Sequence, residues 1–356
     1  MSTLKVGALQ GISASSDAIT LANDGTCTAN ITNNLSNRRL TINGAMTIAQ
    51  RGTSSTSSGY YTVDRFSTYY SGTDEAPTIS QTDVASGTTP YTLGFRKTLK
   101  VTNGNQTSGA GAGDYIWIQH VLEAQDIANS GWNYTSSSSY VTLSFWVKSS
   151  VAQEFKFYVR TQDGTNKSYA MTTGSLSADT WTKITKTIPG HSDLQFDSNN
   201  GAGFEINVLP FMGTDRTANS VTENAWQTWN TNERIKDNTT TWYTTNDATF
   251  EYTGVQLEVG SVATDFEHRS FAQELSLCQR YYQVMPNSVY ANRGYGSEGY
   301  ANMFFPVTMR DNPTFNISHN FSGTQGLSAN TYGIRGYFTH NWNTTPQFSG
   351  DFVAEL

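Results

Sequence analysis

Alternation of apolar and polar residues recurs along most of this 356-residue chain and constrains its fold more than any other feature. Between residues 42 and 268 it appears repeatedly, for example in Trp181-Thr-Lys-Ile-Thr-Lys-Thr-Ile and Phe204-Glu-Ile-Asn-Val-Leu. A period of two places successive side chains on opposite faces, so each segment predicts a strand with one buried face. The strands do not alternate with helical segments, which disfavours a parallel sheet. The sequence therefore predicts a mostly β protein, an antiparallel β-sandwich or jelly roll.

One segment has helical periodicity instead. Ser270 is a candidate N-cap, and Gln273 would complete a capping box with it. The spacing predicts a short amphipathic helix over 271–282. Its apolar stripe consists of Phe271, Leu275, Cys278 and Tyr282. A helix of this length is marginal alone, so we expect the stripe to pack on the sandwich or on symmetry mates.

The patterns divide the chain into four parts. Residues 1–41 hold short apolar triplets between turn formers, and they need partners to become ordered. We expect the sandwich to span 42–268, an amphipathic linker helix to span 269–286, and a small C-terminal β tip domain to span 287–356. So small a tip buries little surface, and we expect it to gain stability from oligomerisation.

Charge, cysteine content and hydropathy exclude several classes of function. The formal net charge is −7 and no cluster of Lys or Arg offsets it, so nucleic acid is not an expected partner. Cys27 and Cys278 are too far apart in sequence to indicate a disulfide framework or a zinc site. We expect no cofactor, and no compact set of oxygen ligands supports a structural Ca²⁺ ion. The sequence has no signal-peptide pattern and no apolar run of membrane-spanning length, so we expect cytoplasmic synthesis and no membrane insertion.

A catalytic constellation is not evident in the sequence. Motifs for nucleophilic, metal-dependent or phosphate-binding chemistry do not occur. His268 stands beside Glu267, but a solvated junction explains this pair more simply than catalysis does. Candidate acids for glycoside hydrolysis are isolated on strands, namely Asp114, Glu123, Glu205, Glu251 and Glu258. Because nothing in the sequence pairs these acids, we do not expect an enzyme.

Aromatic residues in polar loops are the better functional clue. The segment 214–246 is rich in Asn, Asp and Thr and carries Trp226, Trp229 and Trp242. Sugar C–H faces stack on such rings while polar side chains bind the hydroxyls, so these residues are candidates for glycan binding. Alternatively, these tryptophans pack at an edge of the sandwich or in a subunit interface. A second candidate surface in the tail consists of Tyr290, Tyr295, Tyr300, Tyr332 and Trp342.

Tryptophans on the alternating strands have a different predicted role. Trp117, Trp146 and Trp181 each stand among regularly spaced apolar residues. The alternation predicts that these three side chains lie in the core rather than at a ligand site.

Several blocks of the sequence together match a known pattern. They are Asn43-Gly-Ala-Met-Thr-Ile-Ala-Gln-Arg-Gly-Thr, Tyr61-Thr-Val-Asp-Arg-Phe, Leu143-Ser-Phe-Trp-Val-Lys-Ser-Ser, the stretch from Phe250 to Tyr282, and Phe305-Pro-Val-Thr-Met-Arg. Over roughly residues 42–315 the chain resembles a domain common in tail fibres of bacteriophages, especially those of marine cyanobacteria and other aquatic bacteria. The resemblance implies a jelly roll similar to carbohydrate-binding modules, a homotrimer, a place on the virion tail, and host-surface recognition without catalysis.

The resemblance also implies partners. We expect residues 1–41 to dock on a tail adaptor or nozzle protein, and the receptor to be a host surface polysaccharide or lipopolysaccharide. Subunits of the trimer are expected to meet through the tail and the helix stripe, which is Phe271, Leu275, Cys278 and Tyr282. Two alternatives stay open from the sequence: a purely structural capsid or tail decoration protein without ligand, and a polysaccharide depolymerase.

Overall fold

The computed structural model describes residues 6–15, 17–21, 23, 27–29, 37–290, 292–293, 298–319, 325–339 and 347–356. In some strands of the two ends, only the backbone is described. The N-terminal ranges form a small antiparallel sheet of three strands, β1 (Ala8–Leu9), β2 (Ile19–Leu21) and β3 (Cys27–Ala29).

Residues 54–259 build two antiparallel sheets of six strands each. In chain order the strands are β4 (Ser54–Ser55), β5 (Phe66–Ser71), β6 (Thr78–Asp83), β7 (Lys97–Thr102), β8 (Tyr115–Glu123), β9 (Tyr140–Ser149), β10 (Glu154–Thr161), β11 (Lys167–Ser175), β12 (Thr182–Pro189), β13 (Ala202–Met212), β14 (Trp226–Thr228) and β15 (Thr249–Val259). The front sheet has the order β14-β11-β10-β13-β8-β5, and the back sheet has the order β12-β9-β15-β7-β6-β4. Short helices between the strands are α1 (Thr89–Thr92), α2 (Ala124–Ala128), α3 (Thr241–Thr244) and a 3-10 turn at Thr214–Arg216.

Apolar side chains of the two sheets meet between them. The ring centroid of Phe145 on β9 lies 5.2 Å from that of Phe157 on β10 and 5.1 Å from that of Tyr252 on β15. All three side chains are buried, and burying a side chain of this size stabilises the fold by about 1.5–3 kcal/mol. The predicted antiparallel β-sandwich is therefore confirmed.

The segment that precedes the sandwich packs alongside β15. Leu40 N–H donates to Leu257 O, and Val255 N–H donates to Gly44 O, both at 2.9 Å. A Cβ atom at Gly44 would lie 2.0 Å from Val255 O, so this close approach requires glycine. The end of the predicted N-terminal segment is thus part of the packed structure.

The predicted helix is present but shorter than expected. The helix α4 spans Phe271–Gln279, and Ser270 forms the predicted capping box with Gln273. The prediction is three residues too long, because Tyr282 begins a strand and pairs with Val353. Long-range strand pairing therefore ends the helix.

Most of the apolar stripe of α4 is covered by the same chain. Cys278 and Tyr282 are 0% and 5% exposed, Leu275 is half-buried, and Phe271 is 64% exposed. The prediction that Cys278 and Tyr282 form a trimer interface is wrong, because their side chains are already buried within one subunit. Cys278 belongs to what we call the junction cluster: Ile42, Ile48, Leu275, Leu277, Cys278, Tyr281 and Leu356.

The described residues after α4 form a small C-terminal β unit, whose first strand begins at Tyr282 and not at the predicted residue 287. Its strands are β16 (Tyr282–Tyr290), β17 (Asn292–Arg293), β18 (Glu298–Phe304), β19 (Thr314–His319), β20 (Gln325–Asn330), β21 (Gly333–Thr339) and β22 (Gln347–Val353). They form two antiparallel sheets in the orders β16-β22-β19 and β17-β18-β21-β20. Its small core consists of Met285, Phe305, Met309, Ile334, Phe352 and Ala354. Across the ranges that are described, no helix is long and apolar enough to cross a membrane.

Ion pairs join the C-terminal end to the sandwich. Glu355 pairs with Arg65, and its Oε1 lies 3.1 Å from Arg51 Nη2. Arg280 Nε lies 2.7 Å from Glu123 Oε1. The side chains of Arg65 and Glu123 are 1% and 0% exposed, so water screens these pairs only weakly. The helix α4 and a buried polar interface therefore both connect the C-terminal unit to the sandwich.

Candidate functional site

Strand alternation in β8 turns aromatic and amide side chains outward from the front sheet. Ile116 and Ile118 are buried in the core, and Tyr115, Trp117 and Gln119 alternate with them as half-buried residues on the outer face. Trp117 belongs to the opposite phase of the strand, so it does not lie between the two sheets as predicted but packs, half-buried, against an apolar cluster outside the front sheet.

Polar side chains form the floor of this outer face across three strands. Gln119 of β8 is the register partner of Asn207 on β13, and Glu205 is the partner of Arg160 on β10. Gln119 Nε2 donates to Asn207 Oδ1 at 3.1 Å, and Asn207 Nδ2 donates to Glu205 Oε2 at 3.3 Å. Arg160 Nη1 lies 3.8 Å from Glu205 Oε1, which also accepts from Gln162. Because Asn207 and Glu205 are 0% and 5% exposed, the floor is held rigidly.

Aromatic rings and guanidinium groups line the walls above this floor. The ring centroids of Tyr69 and Trp117, which are register partners, lie 5.6 Å apart. Arg234 Cζ lies 5.0 Å from the ring centroid of Trp117 and 5.2 Å from that of Trp229. Arg160 Cζ lies 4.4 Å from the ring centroid of Trp229, and such cation–π contacts fix the orientation of both groups.

We call this region the open face. It comprises Tyr69, Trp117, Gln119, Arg160, Gln162, Glu205, Asn207, Trp229 and Arg234. The loop 214–246 covers the adjoining part of the same sheet surface through an apolar cluster of Tyr158, Ala170, Leu209, Met212, Val221 and Ile235. Trp117 and Trp229 of the open face pack, partly buried, against this cluster. Arg234 N–H donates to Arg216 O at 2.9 Å, so the backbone of the loop holds this wall in place.

Two buried donors on the open face make no hydrogen bond to any part of the chain that the structure describes. They are Trp117 Nε1 and Arg160 Nε. Leaving a buried donor unpaired costs about 1–3 kcal/mol. Because both atoms are enclosed by the chain, they indicate a place where an ordered water supplies the acceptor.

Of the three loop tryptophans that the sequence indicated, only Trp229 lies on the open face. Trp242 is 0% exposed, and its ring centroid lies 6.4 Å from that of Phe155 and 6.5 Å from that of Phe250. Its Nε1 donates to Thr249 O at 3.0 Å. The prediction that Trp242 binds a glycan is wrong, because its side chain belongs to the core.

Trp226 lies in β14 at the edge of the front sheet. It is the register partner of Tyr169, whose side chain is in the core, so Trp226 also faces the inner side. Its Nε1 donates to Pro189 O at 2.6 Å. Trp226 therefore packs, half-buried, at the edge of the sandwich, which favours the alternative that the sequence left open, and its role in glycan binding stays a prediction.

The tail residues that were predicted as a second surface are only partly described. Tyr295 and Trp342 lie outside the described residues, and the side chains of Tyr290 and Tyr300 do as well. Tyr332 is 64% exposed on the C-terminal unit. Glycan binding at Tyr295, Tyr300 and Trp342 stays a prediction.

The groups that were considered for catalysis are dispersed. Glu251 Oε1 lies 2.7 Å from Lys148 Nζ, and His268 Nε2 lies 2.9 Å from Leu93 O. In the described ranges there is no group of three or more His, Cys, Asp or Glu side chains that could hold a metal ion. The open face is therefore suited to binding through rings, amides and single charges.

Sequence reasoning missed most of the open face. In β8 the sequence did contain a clue. Gln119 is polar and lies two residues after Trp117, so both side chains point to the same face, and the polar residue indicates that this face is the outer one. Glu205 and Asn207 carry the same signal in β13. No local pattern shows that these strands are neighbours, because Gln119 and Asn207 are 88 residues apart.

Comparison with known proteins gave only distant likenesses. No family model matches the sequence, and no curated protein matches it. The enzymatically active domain of tailspike protein 4 from bacteriophage CBA120 is 10% identical, with 62% of this chain and 21% of that one covered and a TM-score of 0.32. The chain thus spans about a fifth of that domain.

Two further solved structures are similar at the same level. The N-terminal cellulose-binding domain of a β-1,4-glucanase from Cellulomonas fimi is 10% identical, with coverage of 61% and 99% and a TM-score of 0.29. The tripod from the baseplate of bacteriophage Tuc2009 is 13% identical, with coverage of 94% and 95% and a TM-score of 0.28. Likenesses this distant carry no argument about the activity of this chain.

Proposed function

We propose that this chain is a non-catalytic, glycan-binding component of a bacteriophage tail fibre, and that the open face binds the glycan. The observation that carries the proposal is one sheet face that combines aromatic walls with a floor of amides and a carboxylate. The sequence resemblance to tail-fibre domains supports a place on a virion.

Each part of the open face matches a property of a sugar. The C–H faces of a pyranose ring pack against aromatic edges and faces such as Tyr69 and Trp229. Sugar hydroxyls both donate and accept, so they can pair with the half-buried polar side chains of Gln119, Arg160 and Gln162. Because the floor is already held by its own hydrogen bonds, little ordering is needed on binding.

Recognition without cleavage is part of the proposal. Among the described residues, Glu205 is the one carboxylate of the open face, and Gln162 and Asn207 donate to it. Most glycoside hydrolases use two carboxyl groups about 5–10 Å apart. The chemistry of the face therefore supports binding.

The proposed assembly follows the sequence resemblance. Three copies meet on one axis, residues 1–41 dock on a tail adaptor or nozzle protein, and the receptor is a host surface polysaccharide or lipopolysaccharide. Within the predicted helix stripe, Phe271 is the best placed for a contact with a second subunit, since it is 64% exposed. Leu275 is half-buried beside it.

The test is the substitution Trp117→Ala. We expect affinity for a bacterial surface glycan, identified on a glycan microarray and measured by calorimetry, to fall about tenfold because an aromatic wall is lost. The matched control is Trp181→Ala, a half-buried tryptophan whose ring centroid lies 5.3 Å from Lys148 Nζ on the back sheet. Unchanged affinity in a folded Trp117→Ala protein would contradict the proposed site, and release of reducing ends from the bound glycan would contradict its non-catalytic role.

A further inference from the structure

A second groove lies where the front sheet meets the C-terminal unit. Gly59 pairs with Thr68 through two backbone hydrogen bonds of 2.8 and 3.0 Å, which extends the front sheet by one strand position beyond β5. The groove next to this position has a volume of about 440 Å³, which is within the range of ligand sites. We call it the seam groove, and the lining residues that matter are Arg51, Ser58, Tyr60, Tyr61, Tyr282 and Asp351.

Arg51 lines the groove with a guanidinium whose charge is matched by neighbouring carboxylates. Its Cζ lies 3.6 Å from the ring centroid of Tyr282, and its Nη2 donates to Glu355 Oε1 at 3.1 Å. Nη1 lies 4.0 Å from Asp64 Oδ1, which is too far for a hydrogen bond. Nη1 is therefore a buried donor with no hydrogen bond to the described residues, on a side chain that is 9% exposed.

Asp351 supplies an acceptor in the same groove. The Tyr282 hydroxyl donates to Asp351 Oδ2 at 3.1 Å. Burial, and then the charge of Asp351, raise the pKa of Tyr282 to about 12, so this hydroxyl stays protonated and keeps donating. Asp351 Oδ1 makes no hydrogen bond to the residues that the structure describes, so it can accept one from a ligand.

The groove offers an acceptor and an aromatic ring to a ligand that is rich in hydroxyl groups. A ligand hydroxyl can donate to Asp351 Oδ1, whereas Asp351 would repel an anion. The charge of Arg51 is already matched by Glu355 and Asp64. Tyr61 is 49% exposed and adds a ring on which the C–H face of a sugar packs. A carbohydrate therefore fits this groove better than an anion does.

We infer that the seam groove is a second carbohydrate subsite, and that a glycan chain bound on the open face continues across β5 into it. This inference rests on the proposed function. Tyr69 of the open face lies on β5 itself, and the antiparallel pairing of Gly59 with Thr68 places Ser58, which lines the groove, opposite Tyr69 at about one strand spacing, ~4.8 Å. Two linked subsites raise affinity by effective concentration, so long oligosaccharides bind more tightly than short ones.

The experiment uses the whole chain and a microarray that carries short and long members of each bacterial oligosaccharide series. We expect Tyr61→Ala to weaken binding of the long oligosaccharides about tenfold, to the affinity of the short ones. The affinity for the short oligosaccharides is expected to stay unchanged. Asp351→Asn, which alters the acceptor and keeps the size of the side chain, is expected to act in the same direction. Tyr332→Ala removes a tyrosine that is 64% exposed elsewhere on the C-terminal unit, and it is the control with no expected effect.

The possible outcomes separate the two proposals. The seam subsite is overturned if wild-type binding does not depend on oligosaccharide length, or if Tyr61→Ala and Asp351→Asn leave binding unchanged. Either result leaves the proposed site on the open face standing. Wild-type protein that binds no member of the array overturns both. Loss that is confined to the long oligosaccharides supports the seam subsite.

Discussion

At the scale of single residues, His120 shows how the sandwich depends on neutral polar groups. Its ring is buried, with Nδ1 3.0 Å from Arg65 O and Nε2 3.4 Å from Ile42 N. The Ile42 N–H needs an acceptor, so the neutral tautomer that carries its proton on Nδ1 fits both contacts. Burial, and then the charge of Arg65, lower the pKa of His120 to about 3.

This lowered pKa predicts acid sensitivity. The unfolded chain binds a proton at His120 near pH 6.5 and the folded chain only near pH 3, so the stabilisation is complete above pH 6.5 and is lost as the pH falls towards 3. We expect His120 to lower the free energy of unfolding by about 3 kcal/mol between pH 7 and pH 4, measured by urea unfolding. His120→Gln should remove this part of the pH dependence, and His191→Gln, a change at a side chain that is 38% exposed, should retain it. Parallel pH profiles for wild type and His120→Gln would count against this assignment.

At the scale of elements, a buried ion pair attaches α4 to the rest of the chain. Glu274 is 3% exposed, pairs with the buried Arg39, and accepts from Asn43 N at 2.5 Å. These contacts tie the helix to the segment that precedes the sandwich. Phe271 on the same helix is 64% exposed and contributes little within one subunit.

We therefore expect very different effects from two alanine substitutions in α4. Glu274→Ala leaves Arg39 buried without its carboxylate, and it is expected to lower the free energy of unfolding by about 3–5 kcal/mol. Phe271→Ala is expected to change it by no more than about 0.5 kcal/mol. Chemical denaturation at a concentration where the protein is monomeric measures both. Similar losses for the two variants would contradict this account of the helix.

The same elements show how far the sequence could predict the structure. The strands were predictable because a period of two is a local property, and the start of α4 was predictable because Ser270 and Gln273 form a local capping motif. The end of α4 was not, because Tyr282 pairs with Val353 from the far end of the chain. The open face was missed for a related reason: large rings were taken for core, and the neighbours of Trp117 on other strands are set by long-range register.

At the scale of the whole molecule, the last residues hold the C-terminal unit against the sandwich. Arg65 Cζ lies 3.5 Å from the ring centroid of Tyr281, and the guanidinium pairs with Glu355. Ala354 N–H donates to Tyr281 O at 2.8 Å, and Arg310 Nε donates to Ala354 O at 2.8 Å. One short segment thus contacts Tyr281 just after α4, Arg310 of the C-terminal unit and Arg65 just before β5.

Glu355→Ala is expected to loosen this attachment. It leaves the guanidinium of Arg65, which is 1% exposed, without its carboxylate, at a cost of about 3–5 kcal/mol in the free energy of unfolding. Thermal unfolding should show a lower midpoint, and limited proteolysis should cut near the junction sooner. Asp311→Ala, at an exposed acid of the same unit, is the control and is expected to behave like wild type. Equal proteolysis rates for the two variants would refute the proposed attachment.

The junction cluster also has a mechanical consequence. Ile42 from the N-terminal side, Cys278 and Tyr281 from the region of α4, and Leu356 from the end of the chain all meet in it. We expect tension between the segment that holds Ile42 and the C-terminal unit to load this cluster of side chains, together with the Arg280–Glu123 ion pair at the end of β8. The residues of the open face do not belong to the cluster, so we expect their geometry to change little while the two segments are pulled apart.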